Sequence, residues 1–261
     1  MKRKLAFTLS EVLLTLVIIG LIAALTVPTI SKQIKWAQYH SALFKAKSVL
    51  EQATMKFSSE NGNFVECGYW IDNPYASATC KGYDNKGNCT GWVYKETGEN
   101  LPSDYNGRFA DCKKLYDYWI QNMNVIKVCD SNAYSSGCMP KDMKGVDTIY
   151  QGKNSGVTDF DMNKATAGLS GFRQASLRAG KSFITADGFT FYPYSGYGMP
   201  IILVDLNGMK GPNKWGHDIH GFIARIKNQD ANPSLFPYIQ STQYVEAGGR
   251  TTFHLLYKKT R

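Results

Sequence analysis

The most regular feature of the sequence is an apolar segment near its beginning. From Val12 to Ile30 no residue carries a charge, and at ~1.5 Å per residue a helix of this length covers the ~30 Å hydrocarbon core of a bilayer. The basic residues Lys2, Arg3 and Lys4 precede this segment. Because basic flanks stay on the cytoplasmic side, the pattern predicts a membrane helix, with the chain after residue 31 outside the cytoplasm.

The segment that follows is amphipathic. Apolar residues recur in it at three- and four-residue spacing, at Leu43, Ala46, Leu50, Ala53 and Phe57. This is the period of an α-helix with one buried stripe. We therefore predict a single helix over residues 7–58, ended by the Asn-Gly-Asn sequence at 61–63. Its first half would lie in the membrane, and its second half would pack on a globular head.

The last third of the sequence alternates between apolar and polar residues, as half-buried strands do. The predicted strands are Ser182–Thr185, Phe189–Tyr192, Pro200–Asp205, Gly221–Ile226 and Thr251–Tyr257. The first two flank Ala186-Asp187-Gly188, which is a hairpin signature, and a helix is predicted over Phe172–Ala179. Antiparallel strands laid on the long helix give an α+β fold, with the helix covering one face of the sheet.

Composition adds two constraints. Hydrophobic residues make up 43% of the 261 residues, with only 9 Pro and 24 Gly, so most of the chain is expected to fold. The formal net charge is +9, which could favour an acidic partner such as DNA. The lysines are scattered, however, as on an ordinary solvated surface. Nucleic acid is therefore an unlikely partner, although charge alone does not exclude it.

The cysteines agree with an extracytoplasmic head. Six are present, Cys67, Cys80, Cys89, Cys112, Cys129 and Cys138. Their number is even and no pair has CxxC spacing, so three disulfides are favoured over reduced thiols or a zinc site. Fifteen pairings are possible. The same region is rich in Gly, Asn and aromatic residues, which indicates a loop-rich, disulfide-stapled insertion whose aromatics form a small core or, alternatively, a binding surface.

One acidic residue interrupts the apolar beginning. Glu11 lies at the head of the uncharged run, where a charge costs ~2.5–3.5 kcal/mol on insertion scales. A carboxylate in that position needs a partner. The apolar run is also too long for an ordinary secretory signal, and no small-residue cleavage site follows it.

The sequence Lys2-Arg3-Lys4-Leu5-Ala6, followed by Phe7-Thr8-Leu9-Ser10-Glu11 and the apolar run, closely resembles the N-terminus of type IV pilins and type II secretion pseudopilins. The resemblance implies that a prepilin peptidase cuts between Ala6 and Phe7 and methylates the new amine of Phe7. It also implies that Glu11 pairs with Phe7 of a neighbouring subunit during assembly. Ala6 stands where the family most often has Gly. The alternative from the residues alone is a plain membrane anchor.

The resemblance also implies a domain organisation. Residues 1–6 would be the leader, 7–30 the transmembrane and assembly helix, 31–58 its amphipathic continuation, 59–145 the Cys-rich variable insertion, and 146–261 the β-rich remainder of a pilin-like head. Gly20 and Pro28 weaken helical structure inside the apolar segment, and in the family such a stretch can lose helicity in the filament. The alternative is a static kink.

A second resemblance lies between two predicted strands. Asp205-Leu206-Asn207-Gly208-Met209-Lys210-Gly211-Pro212-Asn213, followed by Asp218, is similar to loops that recur in large bacterial pilin-like proteins. Asp205, Asn207 and Asp218 offer oxygen ligands around a tight turn, as a calcium ion requires. The same residues stabilise turns without metal. His217 and His220 suggest a transition metal as a further alternative.

No enzymatic motif is convincing. Residues 175–182 fit a loose form of the phosphate-binding loop, but the predicted order, helix then strand, is reversed, and Gly180 is better explained as a helix end. The sequence contains neither G-x-S-x-G nor H-E-x-x-H. We therefore expect a structural subunit, a minor pilin or pseudopilin. It would reside in the bacterial inner membrane with its head outside and then enter a filament. The alternative is a surface binding module, an adhesin or a DNA-uptake pilin.

Overall fold

The structure is a computed structural model of the chain. It describes residues 8–60, 78–81, 90–94, 97–100, 112–157, 161, 169–194, 200–225, 234–238 and 242–257. The chain divides into two compact units, residues 1–41 and 42–261. The described residues have an α+β fold with a long N-terminal apolar helix and an antiparallel six-stranded sheet.

Helix α1 spans Leu9–Glu60, close to the predicted 7–58. Its apolar part is long and hydrophobic enough to cross a membrane, with a mean hydropathy of 2.5 over its most apolar window. Gly20 and Pro28 both lie within the continuous helix. Near Pro28, the hydroxyls of Thr26 and Thr29 donate to the carbonyl oxygens of Ile22 and Leu25. Whether this stretch loosens in an assembly stays a prediction.

The second unit contains the amphipathic end of α1, and the predicted stripe is confirmed. Leu43, Ala46 and Leu50 are fully buried, and Ala53 and Phe57 are nearly so. Polar contacts flank the stripe on both sides. Lys45 forms an ion pair with Asp187 at 2.6 Å, and Glu51 accepts a hydrogen bond from the main-chain N–H of Leu235. The helix is thereby tied to the hairpin turn at residues 186–188 and to the strand Ser234–Tyr238.

The six-stranded sheet is a simple meander in which each strand pairs antiparallel with the next. Its strands are β3 (Val125–Cys129), β4 (Ser182–Thr185), β5 (Thr190–Pro193), β6 (Ile201–Asp205), β7 (Ile219–Arg225) and β8 (Ser234–Tyr238). A separate two-stranded ladder joins β1 (Ala78–Cys80) to β2 (Trp92–Tyr94). The predicted hairpin is present as β4–β5. The edge strand β3, which carries a bulge between Val125 and Lys127, comes from the segment that the sequence assigned to the variable insertion.

Both faces of the central strand β6 are covered, since all five of its residues are buried. On one face, Ile201 and Leu203 belong to a core cluster that also contains Phe172 and Trp215. Strand alternation places Ile202 and Val204 on the opposite face. In β6 the register pairs Asp205 with Thr190 of β5 and with Ile219 of β7.

Short helices surround the sheet. They are α2 (Lys113–Asn122), α3 (Val146–Lys153), α4 (Gln174–Ala179) and α5 (Thr252–Tyr257), with 3-10 turns at Ser170–Phe172 and Thr242–Tyr244. The aromatics of α2 form core: Tyr116 and Trp119 are fully buried, and Trp119 Nε1 donates to Thr54 Oγ1 of α1 at 3.0 Å.

The predicted strand at Thr251–Tyr257 is wrong, because this segment forms α5. The Oγ1 atom of Thr251 accepts the main-chain N–H of His254, which caps the helix start. Thr252, Leu255 and Leu256 are buried while Phe253 and His254 are exposed. This burial pattern has the period of a helix. The sequence signal for the helix was the cap residue Thr251, which was overlooked because the segment also fits the alternation of a strand.

The described part of the chain bears out disulfide bonding. Cys129 and Cys138 form a disulfide, and Cys112 is also disulfide-bonded. Cys67 and Cys89 lie outside the described residues, as does the side chain of Cys80, so the total of three bridges stays a prediction.

Replacing Leu50 by Ala tests the packing of α1. We expect Leu50→Ala to lower the free energy of unfolding by ~2–5 kcal/mol, because it removes a fully buried side chain and leaves a cavity. Met55→Ala, on an exposed position of the same helix, should change it by less than ~0.5 kcal/mol. Urea unfolding of the detergent-solubilised full chain measures both. Equal effects of the two substitutions would contradict the buried stripe.

Candidate functional site

Two regions contain polar and acidic residues that packing of the core does not require. They are the beginning of α1 and the loop between β6 and β7. Ala6 and Phe7, the predicted processing site, lie outside the described residues. The description begins at Thr8, whose Oγ1 accepts the main-chain N–H of Glu11 at 3.3 Å. In return, Glu11 Oε2 accepts the N–H of Thr8 at 2.8 Å and its hydroxyl at 2.7 Å.

This reciprocal pair is a capping box. It satisfies main-chain donors at the helix start that would otherwise lack a partner. From the sequence, Glu11 was interpreted only as a carboxylate that needs a partner outside its own helix. The Thr-x-x-Glu spacing of Thr8 and Glu11, which is typical of a capping box, was overlooked. Both bonds use the same oxygen, Oε2, so the carboxylate retains a second oxygen for another donor.

The helix surface beyond the cap carries no charge from Val12 to Ile30. The large apolar residues from Leu9 to Ile34 are 42–78% exposed in this chain. An exposed hydrophobic surface of this length is typical of helices that lie in lipid or against other helices. The first unit therefore presents a membrane-length helix with one acidic group at its N-terminal end.

The second region is the loop that joins β6 to β7. Asp205 ends β6 and Asp218 immediately precedes β7, and both are fully buried. The intervening turn uses left-handed backbone at Gly208, Asn213 and Gly216, with φ of 62°, 51° and 82°. Asn is the non-glycine residue that best tolerates this region. The turn thus brings the two predicted carboxylates together in the interior.

Asp218 holds the turn through its carboxylate. Its Oδ1 accepts the main-chain N–H of Lys214 at 2.7 Å, and its Oδ2 accepts that of Asn213 at 2.9 Å. The main-chain carbonyl of Asp218 also accepts the N–H of Leu206. Burial raises the pKa of Asp218, and the hydrogen bonds from Lys214, Asn213 and the side chain of Asn207 oppose that rise.

Asp205 is less well satisfied. Its Oδ1 accepts the N–H of Asn207 at 3.1 Å, whereas Oδ2 is buried without a hydrogen-bond partner. Burial raises the pKa of Asp205 well above its usual range, and repulsion from Asp218 adds to the rise, whereas main-chain hydrogen bonds from Asn207 and Gly208 oppose it. The site therefore has an electrostatic penalty, which a bound proton or a cation would relieve.

The side-chain amides of Asn207 and Asn213 are also only partly satisfied by hydrogen bonds. Asn207 Nδ2 donates to the carbonyl of Gly211 at 3.1 Å, and Asn213 Nδ2 donates to Asp142 Oδ1 at 2.7 Å. In each case the amide oxygen is buried with no partner. Asn213 and Asp142 were not predicted as site residues. Asn213 belongs to the quoted motif, but no local signal links it to Asp142, far away along the chain.

The two histidines do not form a metal site. His220 is buried, its Nε2 faces the carbonyl of His217 at 3.1 Å, and its Nδ1 faces Thr252 Oγ1 at 3.4 Å. Burial lowers the pKa of His220 to about 4, so it is a neutral core residue. His217 Nε2 bonds to the carbonyl of Ala247. Among the described residues no three His, Cys, Asp or Glu side chains converge on one point, so the transition-metal alternative is wrong there.

The order of secondary-structure elements at residues 175–182 argues against a phosphate-binding loop. Helix α4 comes first and β4 follows, whereas such a loop follows a strand and opens a helix. Gly180 ends α4 with φ of −73°. A Cβ added there would lie 2.8 Å from the carbonyl oxygen of Ser176, so the glycine is needed for close packing at the helix end.

Comparison of the chain with protein-family models, with curated proteins and with solved structures found no match.

The β6–β7 turn depends on glycine at position 216. A Cβ there would lie 2.5 Å from Val245 Cγ1 and 2.8 Å from the carbonyl oxygen of Arg250, and the backbone has a positive φ. We expect Gly216→Ala to lower the free energy of unfolding by ~2 kcal/mol or more. Gly152→Ala, in α3 with open space around it, should raise it by ~0.5–1 kcal/mol. Thermal unfolding compares the two, and a neutral Gly216→Ala would refute this account of the turn.

Proposed function

We propose that the chain is a structural subunit of an extracytoplasmic helical filament, a minor pilin or pseudopilin. It would be anchored by α1 and assembled through that helix after cleavage between Ala6 and Phe7. The observation that supports this most directly is the beginning of α1. A helix with an exposed, membrane-length apolar surface carries a single acidic residue, Glu11, in its first turn.

The head supports the same proposal. The amphipathic end of α1 packs on an antiparallel sheet, which is the arrangement that the N-terminal resemblance led us to expect. A helix of this kind can exchange lipid for the helices of its neighbours, because both surroundings are apolar. The disulfide at Cys129–Cys138 suits an oxidising compartment.

The role of Glu11 follows from charge and low dielectric. The methylated amine of Phe7 on one subunit would neutralise Glu11 of the next, which removes the cost of an unpaired carboxylate among apolar helices. The capping bonds occupy only Oε2, so such pairing is compatible with the capped helix start.

The processing step is tested by mass spectrometry of the membrane-extracted protein. We expect the mature chain to begin at Phe7 and to carry an N-methyl group, since Ala6-Phe7 occupies the cleavage position of the motif. Cells that lack prepilin peptidase provide the control and should retain Met1. An intact Met1 in cells with active peptidase would remove the main support for the proposal.

The assembly role of Glu11 can be separated from its capping role by two substitutions. Glu11→Gln keeps a side chain that can cap the helix but removes the charge. We expect it to reach the membrane normally and to fall at least ~10-fold in the sheared filament fraction, because a lost buried ion pair costs on the order of several kcal/mol.

Thr8→Ala is the matched control, because it removes the capping hydroxyl and leaves the charge. It should enter filaments at close to the wild-type level. Normal incorporation of Glu11→Gln would refute the pairing. A large loss in Thr8→Ala with none in Glu11→Gln would show that Glu11 serves the helix start alone.

A further inference from the structure

The lysines of α1 differ in whether an acidic residue neutralises them. Three of them form ion pairs: Lys45 with Asp187, Lys47 with Glu51 and Lys56 with Glu60. Lys32 and Lys35 belong to none of the ion pairs in the described part of the chain. These two lysines are also the ones nearest to the apolar segment of the helix.

The sequence around Lys32 and Lys35 offers them no acidic neighbour on the same helix. No Asp or Glu occurs between Glu11 and Glu51, whereas ion pairs along a helix join residues three or four positions apart. Both lysines are exposed. Because they are three residues apart, they lie on the same side of the helix. The helix therefore presents two adjacent positive charges to its surroundings.

The position of the two lysines along α1 matches one boundary of a membrane. Glu11 and Lys32 are the charged residues on either side of the uncharged run, and α1 is continuous between them. At ~1.5 Å per residue they are ~32 Å apart along the helix axis, close to the ~30 Å of a hydrocarbon core. Lys35 lies ~4.5 Å further along, within the thickness of the headgroup layer. A helix that crosses the bilayer from Glu11 thus places both lysines among lipid headgroups.

The side chain of Lys35 extends away from the apolar segment. Its Nζ lies 5.5 Å from the centre of the Tyr39 ring, about one helical turn closer to the C-terminus. Lysines at the ends of membrane helices extend in this way, with the methylene groups on apolar surface and the ammonium among the headgroups. A lysine ammonium has three N–H donors, so the contact with Tyr39 leaves donors for an anion.

We propose that Lys32 and Lys35 bind the phosphate groups of anionic phospholipids at the extracytoplasmic face of the membrane. This inference rests on the anchoring by α1 proposed above and adds the class of lipid that the anchor selects. The two boundary charges would also fix the depth of the helix. Movement in one direction would carry Lys32 into hydrocarbon and movement in the other would carry Glu11 there, and both are costly.

The surroundings of the two lysines favour a lipid over a soluble anion. The large apolar side chains from Leu9 to Ile34 are exposed, so the helix around Lys32 continues directly into the surface that would lie in the membrane. Headgroup phosphates would then surround both ammonium groups at high local concentration. A soluble polyanion would have to compete with these phosphates, and an anionic bilayer itself repels it.

The test is the lipid that the purified full chain retains when it is released from nanodiscs of equal phosphatidylglycerol and phosphatidylcholine content, measured by native mass spectrometry. We expect the wild type to retain phosphatidylglycerol preferentially. Lys32→Gln/Lys35→Gln should reduce this preference about 5-fold per lysine, the factor that corresponds to ~1 kcal/mol for each basic residue near an anionic surface. Equal lipid ratios in the two proteins would overturn the proposal.

Two further variants control for net charge. Lys210→Gln/Lys214→Gln removes the same charge from two exposed residues of the β6–β7 loop and should keep the wild-type lipid ratio. Lys32→Arg/Lys35→Arg retains the charge and should keep the ratio as well. An equal loss of preference in Lys210→Gln/Lys214→Gln would show that net charge alone decides the ratio, which would also overturn the proposal.

Extraction with alkaline carbonate separates this proposal from the anchoring on which it rests. A wild-type chain that carbonate removes from the membrane would refute the anchor, and the lipid site with it. A chain that resists carbonate and yet shows no preference for phosphatidylglycerol would leave the anchor in place and refute the lipid site alone. If Lys32→Gln/Lys35→Gln keeps the lipid ratio but is lost from the sheared filament fraction, the lysines serve a neighbouring subunit and the proposal is wrong.

Discussion

The burial of one stripe of α1 is the interaction on which the head depends. Leu43, Ala46 and Leu50 have no exposed surface, and a six-stranded sheet with both faces covered cannot do without that helix. Toward its N-terminus the same helix is exposed, and it is long and apolar enough there to cross a membrane. The hydrophobic residues of α1 form one stripe where the head of the same chain covers the helix. They surround the whole helix in the N-terminal part, where only lipid or other molecules could cover it.

How far the sequence predicts this fold depends on how local the signal is. Helix α1 and the β4–β5 hairpin were predicted within a few residues. The apolar period that predicts the helix and the turn triplet that predicts the hairpin each lie within one short stretch of sequence. The segment Thr251–Tyr257 was misjudged because its residues fit two periods, and only the cap at Thr251 distinguishes them. Strand β3 was missed for a different reason. Its pairing with β4 joins distant parts of the chain, and the short segment has little pattern of its own.

In the loop after β6, too, some features could be predicted from the sequence and others could not. Asp205, Asn207 and Asp218 could be selected from the sequence, because acidic and amide residues beside glycines have a recognisable chemistry. Their separate roles could not be. The backbone assigns Asp218 to two main-chain donors and leaves Asp205 with an unpaired oxygen, and Asn213 acquires its orientation from Asp142, which belongs to another part of the chain.

The edge strand β3 has a consequence for contacts between molecules. It carries a bulge between Val125 and Lys127, and Lys127 Nζ donates to the carbonyls of Ser136 and Gly137, in the loop that Cys138 closes back onto Cys129. A bulge, an inward-bonded lysine and a stapled loop are devices that keep a free sheet edge from recruiting a foreign strand. One of the two edges of the sheet, the edge at β3, is therefore protected from pairing with a strand of another molecule.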